Sequence, residues 1–113
     1  MGYRLHYATT YKVKYDGGDF SHNTYEINSL LQELCPNMWD NNDIDTGYAD
    51  ELEIKREEAQ EAIKTLEKWH EEVEEVPVWM QNERYTYLDI AEFLKEALEH
   101  SDQENDYIRF AWF

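Results

Sequence analysis

Hydrophobic and polar positions alternate along the start of the chain. Tyr3, Leu5, Tyr7, Tyr11, Val13 and Tyr15 fall on one side of an extended segment; Arg4, His6, Ala8, Thr10, Lys12 and Lys14 fall on the other. A period of two built from aromatic and β-branched residues predicts a half-buried strand, or two strands broken near Ala8-Thr9-Thr10. Asp16-Gly17-Gly18-Asp19 has turn chemistry and is expected to end this segment. The period then changes. Tyr25, Ile27, Leu30, Leu31 and Leu34 recur at helical steps after Ser21 or Asn23, either of which can cap, and Pro36 stops the run after Cys35. An Asn- and Asp-rich loop over 37–49 follows, then a short strand over 51–55 with Leu52 and Ile54 turned inward.

The longest periodic stretch predicts a helix over 56–76. Ala59, Ala62, Ile63, Leu66, Trp69, Val73 and Val76 paint one stripe, and Pro77 ends it. A further helix starts at Thr86, which has capping-box spacing to Asp89, and buries Ile90, Ala91, Leu94, Ala97 and Leu98. The chain closes on an alternating, ring-rich strand in which Ile108, Phe110 and Trp112 share a face. So apolar a strand needs pairing and cover, which places it beside the first strand. The expected architecture is α+β: a small antiparallel or mixed sheet, N- and C-terminal strands paired, packed against about three helices. With 113 residues, no internal repeat and no linker, residues 1–113 read as one domain.

Composition supports a folded chain. Aromatic residues make up 15% of it, and each large ring buries on the order of 150–250 Å², so a small core is compensated. Charge changes the picture more. The formal net charge is −16, and it is unevenly placed. Residues 1–15 hold three bases and no acid, whereas residues 40–75 hold fourteen acids against four bases. Direct binding to nucleic acid or to an anionic membrane is disfavoured, because both demand a basic face. The natural complement is a basic protein groove. A single cysteine forbids an internal disulfide, and Met-Gly-Tyr-Arg-Leu-His-Tyr lacks the apolar run of a signal peptide, so a cytoplasmic location is expected.

Catalytic and metal chemistry finds no support in the spacing. An EF-hand register starting at Asp40 puts Ile44 at the fifth, ligating position; one starting at Asn41 puts Thr46 where Gly belongs and Leu52 where Glu belongs. His6, His22, His70 and His100 are scattered, and zinc would need converging imidazoles or thiolates. Cys35, at a helix end, reads as a small buried hydrophobe rather than a nucleophile. No enzyme, no cofactor and no metal is expected. His6, Lys12 and Lys14 form a basic strip, read as internal neutralisation facing acidic helices or lying at a sheet edge.

The candidate site is the acidic surface. Glu57, Glu58, Glu61, Glu71, Glu72, Glu74 and Glu75 lie opposite the apolar stripe, and Asp40, Asp43, Asp45, Asp50 and Glu51 continue the run. Helical charges three or four residues apart repeat every ~4.5–6 Å, comparable with the ~3.4 Å axial rise of nucleotides. Such a row can present a nucleic-acid-like potential to a basic groove. In size, charge, aromatic content, single cysteine and acidic helix, the chain resembles the small acidic proteins of phages and mobile elements, among them anti-CRISPR and anti-restriction DNA mimics. The segments Tyr7-Ala8-Thr9-Thr10-Tyr11 and Asn105 through Phe113 share that phage-like character. The resemblance implies inhibition of a basic nuclease, Cas9-like or a restriction enzyme, by occupation of its nucleic-acid channel. The alternatives are an interaction module recognised through exposed Trp39, Tyr48, Trp79 and Tyr85, or a small enzyme or metal protein.

Overall fold

The computed structural model describes residues 4–10, 14–20, 24–40 and 51–112. Nine elements follow in chain order: β1 (Leu5–Thr10), β2 (Lys14–Asp19), α1 (Thr24–Leu34), β3 (Trp39–Asp40), β4 (Glu51–Lys55), α2 (Arg56–Glu72), α3 (Val78–Glu83), α4 (Tyr87–His100) and β5 (Tyr107–Trp112). The strands form one sheet in the order β2-β1-β5-β4-β3, and every neighbouring pair is antiparallel. The first and last strands are paired as the alternation predicts, with Leu5 opposite Trp112 and Tyr7 opposite Phe110. β5 is thus the central strand, bonded to β1 on one side and β4 on the other.

One face of the sheet is apolar. Leu5, Tyr7, Leu52, Ile54, Ile108, Phe110 and Trp112 are buried there, in one cluster with the inner faces of the helices. α2 contributes Ala59, Ala62, Ile63 and Leu66, and α4 contributes Ile90, Ala91, Phe93, Leu94 and Ala97. Small alanines on both helices allow the two axes to pack closely, and burying each Leu or Ile stabilises by about 1.5–3 kcal/mol. Phe93 ties the layers together: its ring lies 5.7 Å from Tyr7, 5.3 Å from Phe20 and 6.0 Å from Phe110, centroid to centroid. The indole N–H of Trp112 donates to Asn28 Oδ1 at 2.9 Å, joining β5 to α1.

Several expectations need correction. Asp16-Gly17-Gly18-Asp19 is not the turn that ends the segment; it lies inside β2, and the break between the two strands comes earlier. The pairing slips from Leu5 opposite Asp19 to His6 opposite Gly17, leaving Gly18 as the extra residue of a bulge, a position glycine tolerates. Tyr25 does not join the inner face of α1, since it is 71% exposed. The stretch over 37–49 is not all loop, because Trp39 and Asp40 pair with Glu53 and Leu52 as β3. The α+β fold is as expected, with the short α3 joining the other three helices among the described residues.

α2 also ends a turn early, at Glu72, with Val73 already extended (φ −88°, ψ 138°). Four glutamates crowd the negative end of the helix macrodipole here, and like charges three and four residues apart repel, so further turns gain little. Pro77 then opens the short α3, whose end at Arg84 takes a left-handed φ of 61°. The predicted capping box at α4 is present. The backbone N–H of Thr86 donates to Asp89 Oδ2 at 2.7 Å. The alternative caps of α1, Ser21 and Asn23, lie outside the described residues.

Candidate functional site

The structure distributes the acidic residues over several surfaces. Asp43, Asp45 and Asp50 lie outside the described residues, and Asp40 is placed only as backbone in β3. Glu51 sits on the sheet face away from the helices. Its carboxylate accepts from Arg109 Nη2 at 2.8 Å, while Glu53 accepts from Nη1 at 2.9 Å, so one guanidinium spans both carboxylates beside the Trp39 ring. Glu51 is therefore part of a cross-strand fork and does not continue the helical acid row. His6 lies on this same face opposite Ala111 in the interior strand β1, so the edge reading of the basic strip does not hold for His6; it does for Lys14, which opens the edge strand β2, and Lys12 lies outside the described residues.

On α2 the exposed candidate acids stand in two groups, with Glu67 between them paired to Lys95 of α4 at 3.1 Å. Glu57 and Glu61 are exposed near its start, and Glu71 and Glu72 at its end, ~22 Å apart from Glu57 to Glu72 at the helical rise. Lys64 and Lys68 stand between them, 3.4 Å from Glu61 and 4.0 Å from Glu72. Both ion pairs are strongly exposed and contribute little stability, but they interrupt the negative row. Glu58 leaves the row altogether. Its Oε2 accepts from the backbone N–H and side-chain amide of Asn37, at 3.4 and 3.3 Å.

Glu58 also faces Cys35. The thiol is fully buried, and its pKa is pushed up to about 12, first by burial and then by the negative charge of Glu58. A thiol held neutral in this way is a poor nucleophile. Cys35 should therefore resist iodoacetamide at pH 8 in the native protein and react only when urea unfolds it, as mass spectrometry can read. The linkage has a definite sign. Because the folded pKa exceeds the unfolded one, the stabilising contribution is complete below pH ~9 and is lost as pH rises toward ~12. Rapid native labelling at pH 8 would contradict the buried placement.

The densest acidic group lies where α2 gives way to α3. Glu71, Glu72, Glu74 and Glu75 are all exposed, the last two at a bend in the connection rather than on the helix. Two concavities meet at Val73, which lines both. The smaller, about 350 Å³, is walled by His70, Glu74, Glu75, Val76, Gln81 and Thr86. The larger, about 530 Å³, runs between α1 and the α2–α3 connection. Trp69, Trp79 and Tyr87 line it with Met80, Pro77 and Leu30, and Tyr25, Glu26, Ser29 and Glu33 project from α1. Neither lining contains a lysine or an arginine. The four glutamates and Trp79 are visible in the sequence, but the groove is not, because it depends on the six-residue α3 and on the outward placement of Tyr25.

Of the rings expected to be exposed, Trp39 is open to solvent. Trp79 is half-buried in the groove, and Tyr85 is half-buried against Phe20, with ring centroids 5.3 Å apart. Tyr48 lies outside the described residues. Among the described residues, no three His, Cys, Asp or Glu side chains converge to hold a metal ion. No described helix is long and apolar enough to cross a membrane. Comparison with protein-family models, with curated proteins and with solved structures found no match.

Proposed function

We propose that this chain is a non-enzymatic binding protein whose acidic surface occupies a basic, nucleic-acid-binding site on a partner protein. A Cas9-like or restriction nuclease is the expected kind of partner, and the cytoplasm the expected place. The observation that carries the reading is the corner at the end of α2, where Glu71, Glu72, Glu74 and Glu75 are all exposed, Glu74 and Glu75 wall the smaller concavity, and no lysine or arginine lines either concavity. A potential of one sign over a concave surface attracts the opposite charge and accelerates encounter. Repulsion among Glu71, Glu72, Glu74 and Glu75 is a cost in the free protein that partner cations would relieve. The mimicry is accordingly centred on this corner rather than on a continuous row along α2, since Lys64 and Lys68 divide that row.

The test is capture from a bacterial lysate at low salt, about 50 mM, with elution by a step to about 0.5 M. The wild-type chain should retain a basic nucleic-acid-binding protein, and added duplex DNA should displace it. The variant E71K/E72K/E74K/E75K should retain none. Its fold is preserved, because all four positions are exposed and lysine suits a helix C-terminus. Equal capture by both proteins would refute the assignment.

A second reading, recognition through aromatic side chains, is favoured by the groove itself, where Trp79, one of the rings expected from sequence, stands with Tyr25.

A further inference from the structure

The larger groove combines two properties that rarely share a surface by chance. Its floor is aromatic, with Trp69 and Tyr87 packed edge to face at 5.4 Å and Trp79 beside them. Its α1 side carries Glu26 and Glu33, and no cation among the described residues pairs with either. They are seven residues apart, two helical turns, so their Cα atoms stand ~10 Å from each other along one side of α1. Exposed apolar side chains also gather here. Tyr25 (71%) and Val73 (39%) both line the groove. Exposed apolar side chains around a concavity mark interaction sites.

We infer that this groove is a docking site for a cationic apolar segment of a protein partner: apolar side chains enter between Trp69, Trp79 and Tyr87, and lysines or arginines meet Glu26 and Glu33. The inference rests on the acidic-surface reading, whose corner adjoins the groove at Val73, and it adds an anchor that charge alone does not provide. Charge complementarity selects the occupant. A neutral apolar segment would leave both carboxylates without partners, and an acidic one would be repelled by them. The ring faces favour the same choice, because aromatic faces attract ammonium and guanidinium groups within about 6 Å.

The test uses the full chain and three fluorescently labelled synthetic peptides of equal length: Lys/Leu amphipathic, Lys/Gly and Ser/Leu. Anisotropy titrations should show the Lys/Leu peptide binding at least about tenfold tighter than either of the others, a difference of about 1.4 kcal/mol. Tyr25→Ala, at an exposed position, and Trp79→Ala should each bring Lys/Leu binding down to the Lys/Gly level. E26K/E33K should weaken it by a comparable factor. Equal binding of Lys/Leu and Lys/Gly, both lost in E71K/E72K/E74K/E75K, would overturn the groove and leave the acidic corner standing. Equal binding of Ser/Leu and Lys/Leu would overturn the cationic occupant. Lys/Leu binding that survives the four-site reversal but falls with Tyr25→Ala would support the groove and count against the corner. Should Trp79→Ala prove unfolded by circular dichroism, Tyr25→Ala decides.

Discussion

Deleting residues 110–113 abolishes the native fold. β5 is the central strand, paired with β1 through Leu5, His6 and Tyr7 and with β4 along the whole of Glu51–Lys55. Cutting at Phe110 removes the β1 pairing entirely and two of the five β4 pairs, so the sheet separates into a β2-β1 pair and a β3-β4 pair that keeps only a stub of β5. Phe110 is fully buried, Trp112 is nearly so, and both belong to the cluster that joins sheet and helices. Loss of a single buried Phe or Trp side chain costs about 3–5 kcal/mol, and the total stability of a small domain is about 5–15 kcal/mol. The deletion removes both together with their backbone hydrogen bonds. The truncated chain should show no cooperative thermal transition and no near-ultraviolet circular dichroism, while Phe110→Ala alone should retain a transition at lowered temperature. A truncated chain that melts like the full one would contradict the central position of β5.

Replacing Arg56 by alanine should be the most damaging single change outside the apolar core. Arg56 opens α2 and turns its guanidinium toward the connection between α4 and β5. Nε donates to Asn105 O at 2.7 Å, Nη1 to Leu98 O at 3.3 Å, and Nη2 to Ser101 Oγ at 2.9 Å and to Asp102 O. Its own backbone N–H donates to Asp106 O at 2.9 Å. One side chain thus binds the end of α4 and the approach to the central strand. The positive charge also sits at the negative end of the α4 dipole. Hydrogen bonds from a charged donor contribute about 1.5–3 kcal/mol, and the carbonyls left behind are partly screened by protein. Arg56→Ala should therefore cost about 3 kcal/mol and lower Tm by roughly 10–20 °C. Arg56→Lys should recover only part of this, because an ammonium cannot reproduce the planar fork. A Tm within a few degrees of wild type would show the clamp to be energetically idle.

The elements legible in sequence are those whose faces alternate cleanly. The Leu52/Ile54 alternation bounds β4 at Glu51 and Lys55, and Ile108, Phe110 and Trp112 mark β5. The pairing of the N- and C-terminal strands followed from the apolar load of the last strand. What was missed has physical causes. Gly17 and Gly18 signal a turn locally, yet the ladder to β1 accommodates them as strand with one bulge. Tyr25 fits the helical period, but that face of α1 looks onto the groove. Phe93 was absent from the predicted inner face of α4 because that face serves two neighbours, α2 and the sheet, and is wider than one stripe. α3 is only six residues long, too short to show periodicity, although Pro77 marked its start.

The acidic site was legible as charge but not as geometry. Composition located the negative stretch. It could not show that Glu58 turns inward to Asn37, that Arg109 spans Glu51 and Glu53, or that Glu74 and Glu75 leave the helix. The Glu58 and Arg109 contacts depend on residues 21 to 58 positions away in the chain, which no local pattern encodes. The corner emerges only where α2 stops at Glu72, so that Glu74 and Glu75 wall the smaller concavity and Val73 joins it to the aromatic groove.

The most direct measurement of the central claim is the salt dependence of the complex between this chain and its purified protein partner. If the acidic corner carries recognition, the association constant should fall at least tenfold between about 50 and 200 mM salt, and E71K/E72K/E74K/E75K should remove most of that slope. An affinity unchanged from about 50 mM to about 0.5 M salt would contradict the account.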